Sequence, residues 1–232
     1  ITSSDITLQH YIIEGDLIIT ESVGDGDVYL DHVTVKGTTM IQGGGEDSIH
    51  VNDSQLNKVV VNKSNHKVRI ATKGQTNINL VIVNSGAKLE DVDGGSASVQ
   101  QVIVEAPKGS EVILTGHYRS VTIESEDNLI HIAQGSTVDE LTVNKKAEIK
   151  GTGTIKTSEI NSDGVTMEIK PAEMVVKQGV KAPEIKTNHP APGSISGGSS
   201  SGGQPSSDLV MMKTIKKNSR SRVFNQVKIK RS

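Results

Sequence analysis

The chain has 232 residues, room for one sizeable domain or two small ones, with a formal net charge of −2 and no cysteine. A disulfide framework and a thiolate metal site are therefore excluded, and no run approaches the roughly 18–20 apolar residues that span a bilayer. Apolar residues make up 34%, with three Tyr, one Phe and no Trp, so any core must be stacked Val and Ile rather than aromatic plugs.

In chain order, "ITSSDITLQHYIIEGDLIIT" (1–20) suits an N-terminal cap or first coil. Short alternating segments then recur: "VTVKG" (33–37), "VVVNK" (59–63), "VIVNS" (81–85), "VIVEA" (102–106), "VTIES" (121–125) and "LTVNK" (141–145). Aligned on Val35, Val61, Val83, Val104, Ile123 and Val143, they repeat at about 20 residues after a longer first step. A second series runs between them through Val51, Ile70, Leu89, Leu114, Ile132 and Ile149. Leu56, Ile78 and Val99 hint at a third strand per coil.

Two interleaved strand series of common period predict an all-β fold, a single-stranded parallel β-helix (β-solenoid) of about eight coils, expected to be right-handed. A coil of about 20 residues cannot bury its inward face alone, so coils must stack on one axial core. An antiparallel sandwich is the competing reading, but a fixed order of two strand types is hard to obtain from hairpins. Asn62, Asn84 and Asn144 follow the first strand type, where equivalent turn residues stack and Asn tolerates a left-handed corner. Pro171 lies in a stretch (160–180) suited to a last coil and end cap.

The solenoid is thus expected over residues 1–180, followed by a Pro/Gly/Ser-rich linker (181–208) that cannot build a core. The basic C-terminal segment (209–232) is too short to fold alone. Residues 208–232 carry about +7 and the remainder about −9. The tail has one aromatic, Phe224, and no recognised motif, so no specific nucleic-acid partner is expected.

The stretch "GDLIITESVGDGDVYLDHVTVKGTTMIQGGGEDSIHV" (15–51), with "KVVVNKSNHKVRI" (58–70), resembles domains of large exported cell-surface proteins of Gram-positive spore-forming bacteria. These often stand beside S-layer-homology or carbohydrate-active modules, and the words shared are "GDGDV", "L-x-x-V-T-V-x-G-T" and "GGG-x-x-S-I-H". The resemblance implies a parallel β-helix on an exported, multidomain protein and names no biochemical activity.

Candidate chemistry is sparse. "QGGGEDSIHV" (42–51) fits most of a calcium-roll nonapeptide, but no neighbouring nonapeptide supplies the second half of a site. A sharp turn needing positive φ at one or more of Gly43, Gly44 and Gly45 is the stronger reading. "GDGDVYLD" (24–31) gathers Asp25, Asp27 and Asp31 but puts Lys36 at the twelfth place of an EF-hand count. No cofactor is expected; a weak Ca²⁺ contact through Asp25, Asp27 and Asp47 is the alternative. The histidines (His10, His32, His50, His66, His117, His131 and His189) lack a metal spacing such as H-x-x-x-H and read as solvent-facing. Tyr29, Tyr118 and Arg119 are candidates for contacting a ligand, aromatics being the usual platforms for sugars.

Pectin-type lyase or hydrolase chemistry needs carboxylate clusters and, for a lyase, an Arg base. Only Arg69 and Arg119 are available in the body, and the N-x-D, D-D, G-H-G and R-x-K motifs are absent. The sequence points to a non-enzymatic extracellular module: a rigid spacer or adhesive element on a bacterial surface, part of a larger protein and monomeric, with cell-wall or environmental polysaccharide as partner. A polysaccharide lyase or hydrolase and a phage tail or host-recognition fibre are the alternatives.

Overall fold

A computed structural model describes residues 1–64, 66–94 and 98–186. The rest of the linker and the whole basic segment lie outside the described residues. The first coil contains β1 (Ile6–Gln9), β2 (Ile12–Ile13) and β3 (Leu17–Ile19). Seven two-strand coils follow: β4 (Val28–Asp31) and β5 (Thr34–Ile41); β6 (His50–Asn52) and β7 (Gln55–Val61); β8 (Val68–Lys73) and β9 (Asn77–Val83); β10 (Ala87–Asp91) and β11 (Ser98–Val104); β12 (Glu111–Thr115) and β13 (His117–Ile123); β14 (Asn128–Ile132) and β15 (Thr137–Val143); β16 (Ala147–Gly151) and β17 (Thr154–Ile160). The ninth holds β18 (Thr166–Met167) and β19 (Glu173–Val176), and β20 (Glu184–Ile185) opens another turn. The paired stack thus continues past residue 180, into the start of the predicted linker.

All strand pairs are parallel. One ten-stranded sheet runs β1-β4-β6 through β18-β20, and the other runs β2-β5-β7 through β17-β19, with β3 also on β5. This is a β-solenoid of about nine turns, one more than the repeat count predicts. Each strand pairs with its copy one coil away, so all ladders share one direction and the inward faces close on a single aliphatic core.

The seven-residue strands of the second sheet share one burial pattern. In β7, β9, β11, β13, β15 and β17 the second, fifth and seventh residues are buried. Strict alternation would bury the second, fourth and sixth. The third residue also drops out of the ladder, as Gln100 and Arg119 do between Val99–Tyr118 and Gln101–Ser120. Each long strand therefore turns a corner at its third place. Leu56, Ile78 and Val99 are the buried residues before that corner, not members of a separate third strand.

This register corrects two alignments. Val35 stacks on Leu56; the residue stacked on Val61 is Ile41, which restores the long first step to about the common period. A bulge between Val35 and Thr38 lengthens β5 and conceals this. In the first sheet, Val51 pairs with Thr72 rather than Ile70, and Ile149 with Ile130 rather than Ile132.

Candidate functional site

The corner in each long strand sets two outward columns side by side. The first places hold Thr34, Gln55, Asn77, Ser98, His117, Thr137 and Thr154. The third places hold Lys36, Asn57, Asn79, Gln100, Arg119, Asp139 and Lys156. Because the residue between them is buried, both columns face solvent together, one rung per coil, about 4.8 Å apart.

The lower coils of this stripe are rich in amides. Asn57 Nδ2 donates to the Lys36 carbonyl at 3.0 Å, and Asn79 Nδ2 to Asn57 Oδ1 at 3.2 Å. Asn77 Nδ2 donates to Asn79 Oδ1 at 3.3 Å, and Gln100 Nε2 to Ser98 Oγ. Between the columns lies an open groove of about 410 Å³ lined by Lys36, Gln55, Asn57, Asn77 and Asn79 among others. The upper coils are charged: Asp139 takes Lys156 Nζ at 2.7 Å and His117 Nε2 at 2.9 Å. Lys156 and His117 together hold the Asp139 carboxyl below its ordinary range. Arg119 is exposed between the two parts, with no hydrogen-bond or ion-pair partner among the described residues.

Of the sequence candidates, Arg119 lies on this stripe and the two tyrosines do not. Tyr118 is 2% exposed, which corrects its reading as a ligand platform. It takes the inward second place of β13, stacked between Val99 and Val138, and its hydroxyl donates to the Leu89 carbonyl at 2.8 Å and the Thr115 carbonyl at 3.2 Å. Burial pushes its phenol far up. Tyr29 is on the surface, but His50 covers one ring face at a centroid distance of 4.6 Å, tilted by 8°. Its hydroxyl donates to Asp27 Oδ2 at 3.0 Å, and that carboxylate raises its pKa.

Asp25, Asp27 and Asp47 do not converge as a metal set among the described residues. Asp25 is instead ion-paired by Lys63 Nζ, which is only 9% exposed and also donates to the Gly44 and Gly24 carbonyls. Lys63 pulls the Asp25 carboxyl below its ordinary value. Asp47 is exposed, and its main-chain carbonyl accepts from Arg69. An ammonium thus occupies the oxygen-lined corner where calcium was the alternative.

The three glycines do make a tight corner. Gly44 has φ +103, as expected of the turn. A Cβ on Gly43 would stand 2.3 Å from the Thr20 carbonyl oxygen, and one on Gly45 2.6 Å from that of Asp25. The asparagine turn is corrected: Asn62, Asn84 and Asn144 stack in register but none has positive φ. Asn144 joins a side-chain ladder with Glu124 and Asn161, at 2.7 and 2.9 Å. Left-handed corners flank the first-sheet strands instead: His10, His32 and Asp53 follow them, and Asp5, Ile49 and Asp127 precede them.

The stripe residues other than Arg119 escaped the sequence reading because each is polar and unremarkable alone. Their signal is positional: the third place of every long strand, one coil of about 20 residues apart.

The chain matches no protein-family model and no curated protein. Among solved structures it is similar to the chitinase ChiW of Paenibacillus sp. str. FPU-7, described as a bacterial cell-surface-expressed multi-modular enzyme machinery. Identity is 27% and the TM-score 0.44, covering 56% of this chain and 14% of that one. The similarity thus spans a small part of that protein and assigns no activity here. No described helix is long and apolar enough to cross a membrane.

Proposed function

We propose that this chain is a non-enzymatic module of an exported bacterial surface protein, a rigid spacer that also adheres to polysaccharide along the corner stripe. The observation that carries this reading is the double column of outward side chains flanking the corner. It offers amide donors and acceptors at every rung from Asn57 to Gln100, beside an open groove that crosses successive coils and so suits a polymer rather than a small molecule. Sugar hydroxyls pair with amides in both directions, so a ladder of Asn and Gln binds such a chain without aromatic platforms.

The words shared with surface proteins of Gram-positive spore-formers support the placement, including the S-layer or carbohydrate-active neighbours. Against pectin-type chemistry, Arg69 is engaged by Glu90, leaving Arg119 as the other arginine of the described residues, on the open stripe.

A glycan array probed with the full chain tests the proposal. Binding to extended polysaccharides is expected, and the double variant Asn57→Ala/Asn79→Ala should lose most of it while keeping its β-sheet circular dichroism. No binding, or binding indifferent to these two residues, overturns it. Release of unsaturated or reducing ends from acidic polysaccharide would overturn the non-enzymatic part.

A further inference from the structure

We propose that Asp31, His32 and Asp53 form a surface site for a divalent transition-metal ion, with Zn²⁺ as the best-fitting occupant. One ligand atom from each of the three lies within 4.8 Å of the other two. The pair His32 Nδ1 and Asp31 Oδ1 is 2.8 Å apart. The pair is hydrogen-bonded; donors of a tetrahedral Zn²⁺ at about 2.0–2.1 Å stand about 3.3 Å apart, so a small opening of this contact admits the ion. Asp53 contributes the third ligand; one of its carboxylate oxygens accepts from Gln75 N at 2.8 Å.

The fold makes this set from a turn ladder. His32 and Asp53 occupy equivalent left-handed corners of successive coils, with φ of 53° and 45°, and His10 sits one coil below with φ of 58°. The His10 ring packs against that of His32, with centroids 4.9 Å apart, placing a second imidazole beside the trio. Gln9 Nε2 and Asn52 Nδ2 donate to the two oxygens of Asp31 at 2.7 and 2.8 Å, which fixes the carboxylate as second-shell partners fix a metal ligand.

The aspartates differ in their charged partners. Asp25, Asp127 and Asp139 each hold a lysine within 4.0 Å, and Asp127 holds two. Among the described residues no lysine or arginine reaches that distance from Asp31 or Asp53. Two carboxylates thus stand beside the imidazole with no lysine or arginine pairing them. An imidazole in the set favours Zn²⁺ over Ca²⁺, which prefers oxygen ligands throughout.

Isothermal titration of the full chain with ZnCl₂ near neutral pH tests the site. One ion per chain is expected, with a rise in Tm and no competition from Ca²⁺. His32→Asn and Asp53→Asn keep residues that tolerate the left-handed corner and should each weaken binding at least tenfold. Proton NMR of the wild type gives a readout that needs no variant: Zn²⁺ should shift the ring signals of His32 and His10 and leave those of His131 in place. Absence of saturable one-to-one binding, equal binding by both variants, or shifts spread over all histidines would overturn the proposal.

Discussion

The Lys63 ammonium rests on the Asp25 carboxylate across 38 residues of sequence, and the same nitrogen is held by the carbonyls of Gly44 and Gly24. The cation this acidic corner requires is built into the chain. Its reach spans two coils, so it ties the "GDGD" turn to the "GGG" turn and to the strand after it.

Lys63→Met should therefore destabilise the N-terminal coils. The buried Gly44 carbonyl loses its donor, which costs about 1–3 kcal/mol, and a fall in Tm by differential scanning calorimetry measures it. Added Ca²⁺ should leave the wild-type Tm unchanged at this corner, since the ammonium holds it. A wild-type Tm that rises through Asp25 would contradict the arrangement.

Gly44→Ala probes the same corner through the backbone. The residue would sit at φ +103 with its Cβ 2.7 Å from Ser48 Oγ, and strain of this kind costs about 1–3 kcal/mol. A matched loss of stability in urea, with an unchanged m-value, is the expected outcome.

Tyr118 serves as a core plug. Tyr118→Phe leaves the Leu89 and Thr115 carbonyls without their donor and should cost about 1–3 kcal/mol. Tyr118→Ala opens a cavity and should cost about 3–5 kcal/mol, as large aromatic truncations do. Polysaccharide binding by the folded Phe variant should equal that of wild type, because the hydroxyl does not reach the stripe. Weakened binding there would return Tyr118 to the ligand surface.

Asp127 sets an acid limb. Lys108 and Lys146 flank it at 2.7 Å each and pull its carboxyl from 3.8 to about 2. A depressed carboxylate contributes stability above its unfolded value and loses it as pH falls through the folded one. Tm should therefore drop more steeply between pH 3.8 and about 2 in wild type than in Asp127→Asn, which keeps a residue suited to φ 54. Parallel Tm profiles in that window would refute the assignment.

The period of the valines made the stack legible, because side chains one coil apart must be alike to share a core. Its register was harder to read. The bulge in β5 displaced Val35 into the alignment in place of Ile41, and its cue, Gly37 inside the strand, reads in sequence as the end of a segment. Tyr118 was readable in principle: it precedes Val121 by three residues, as Val99 precedes Val102, and so belongs to a buried place. Lys63 with Asp25, and Asp31 with Asp53, meet only through stacking, so motif spacing on one strand could not find them.

Every ladder hydrogen bond in this stack runs along the solenoid axis, while the covalent chain runs across it. Tension between the two ends would load all the inter-coil ladders equally, in series, so the weakest would yield first. Under pull such a rod yields by peeling single coils, each surrendering a few rungs and paying out about 20 residues of chain. A stack held in this way would act as a graded shock absorber in extension.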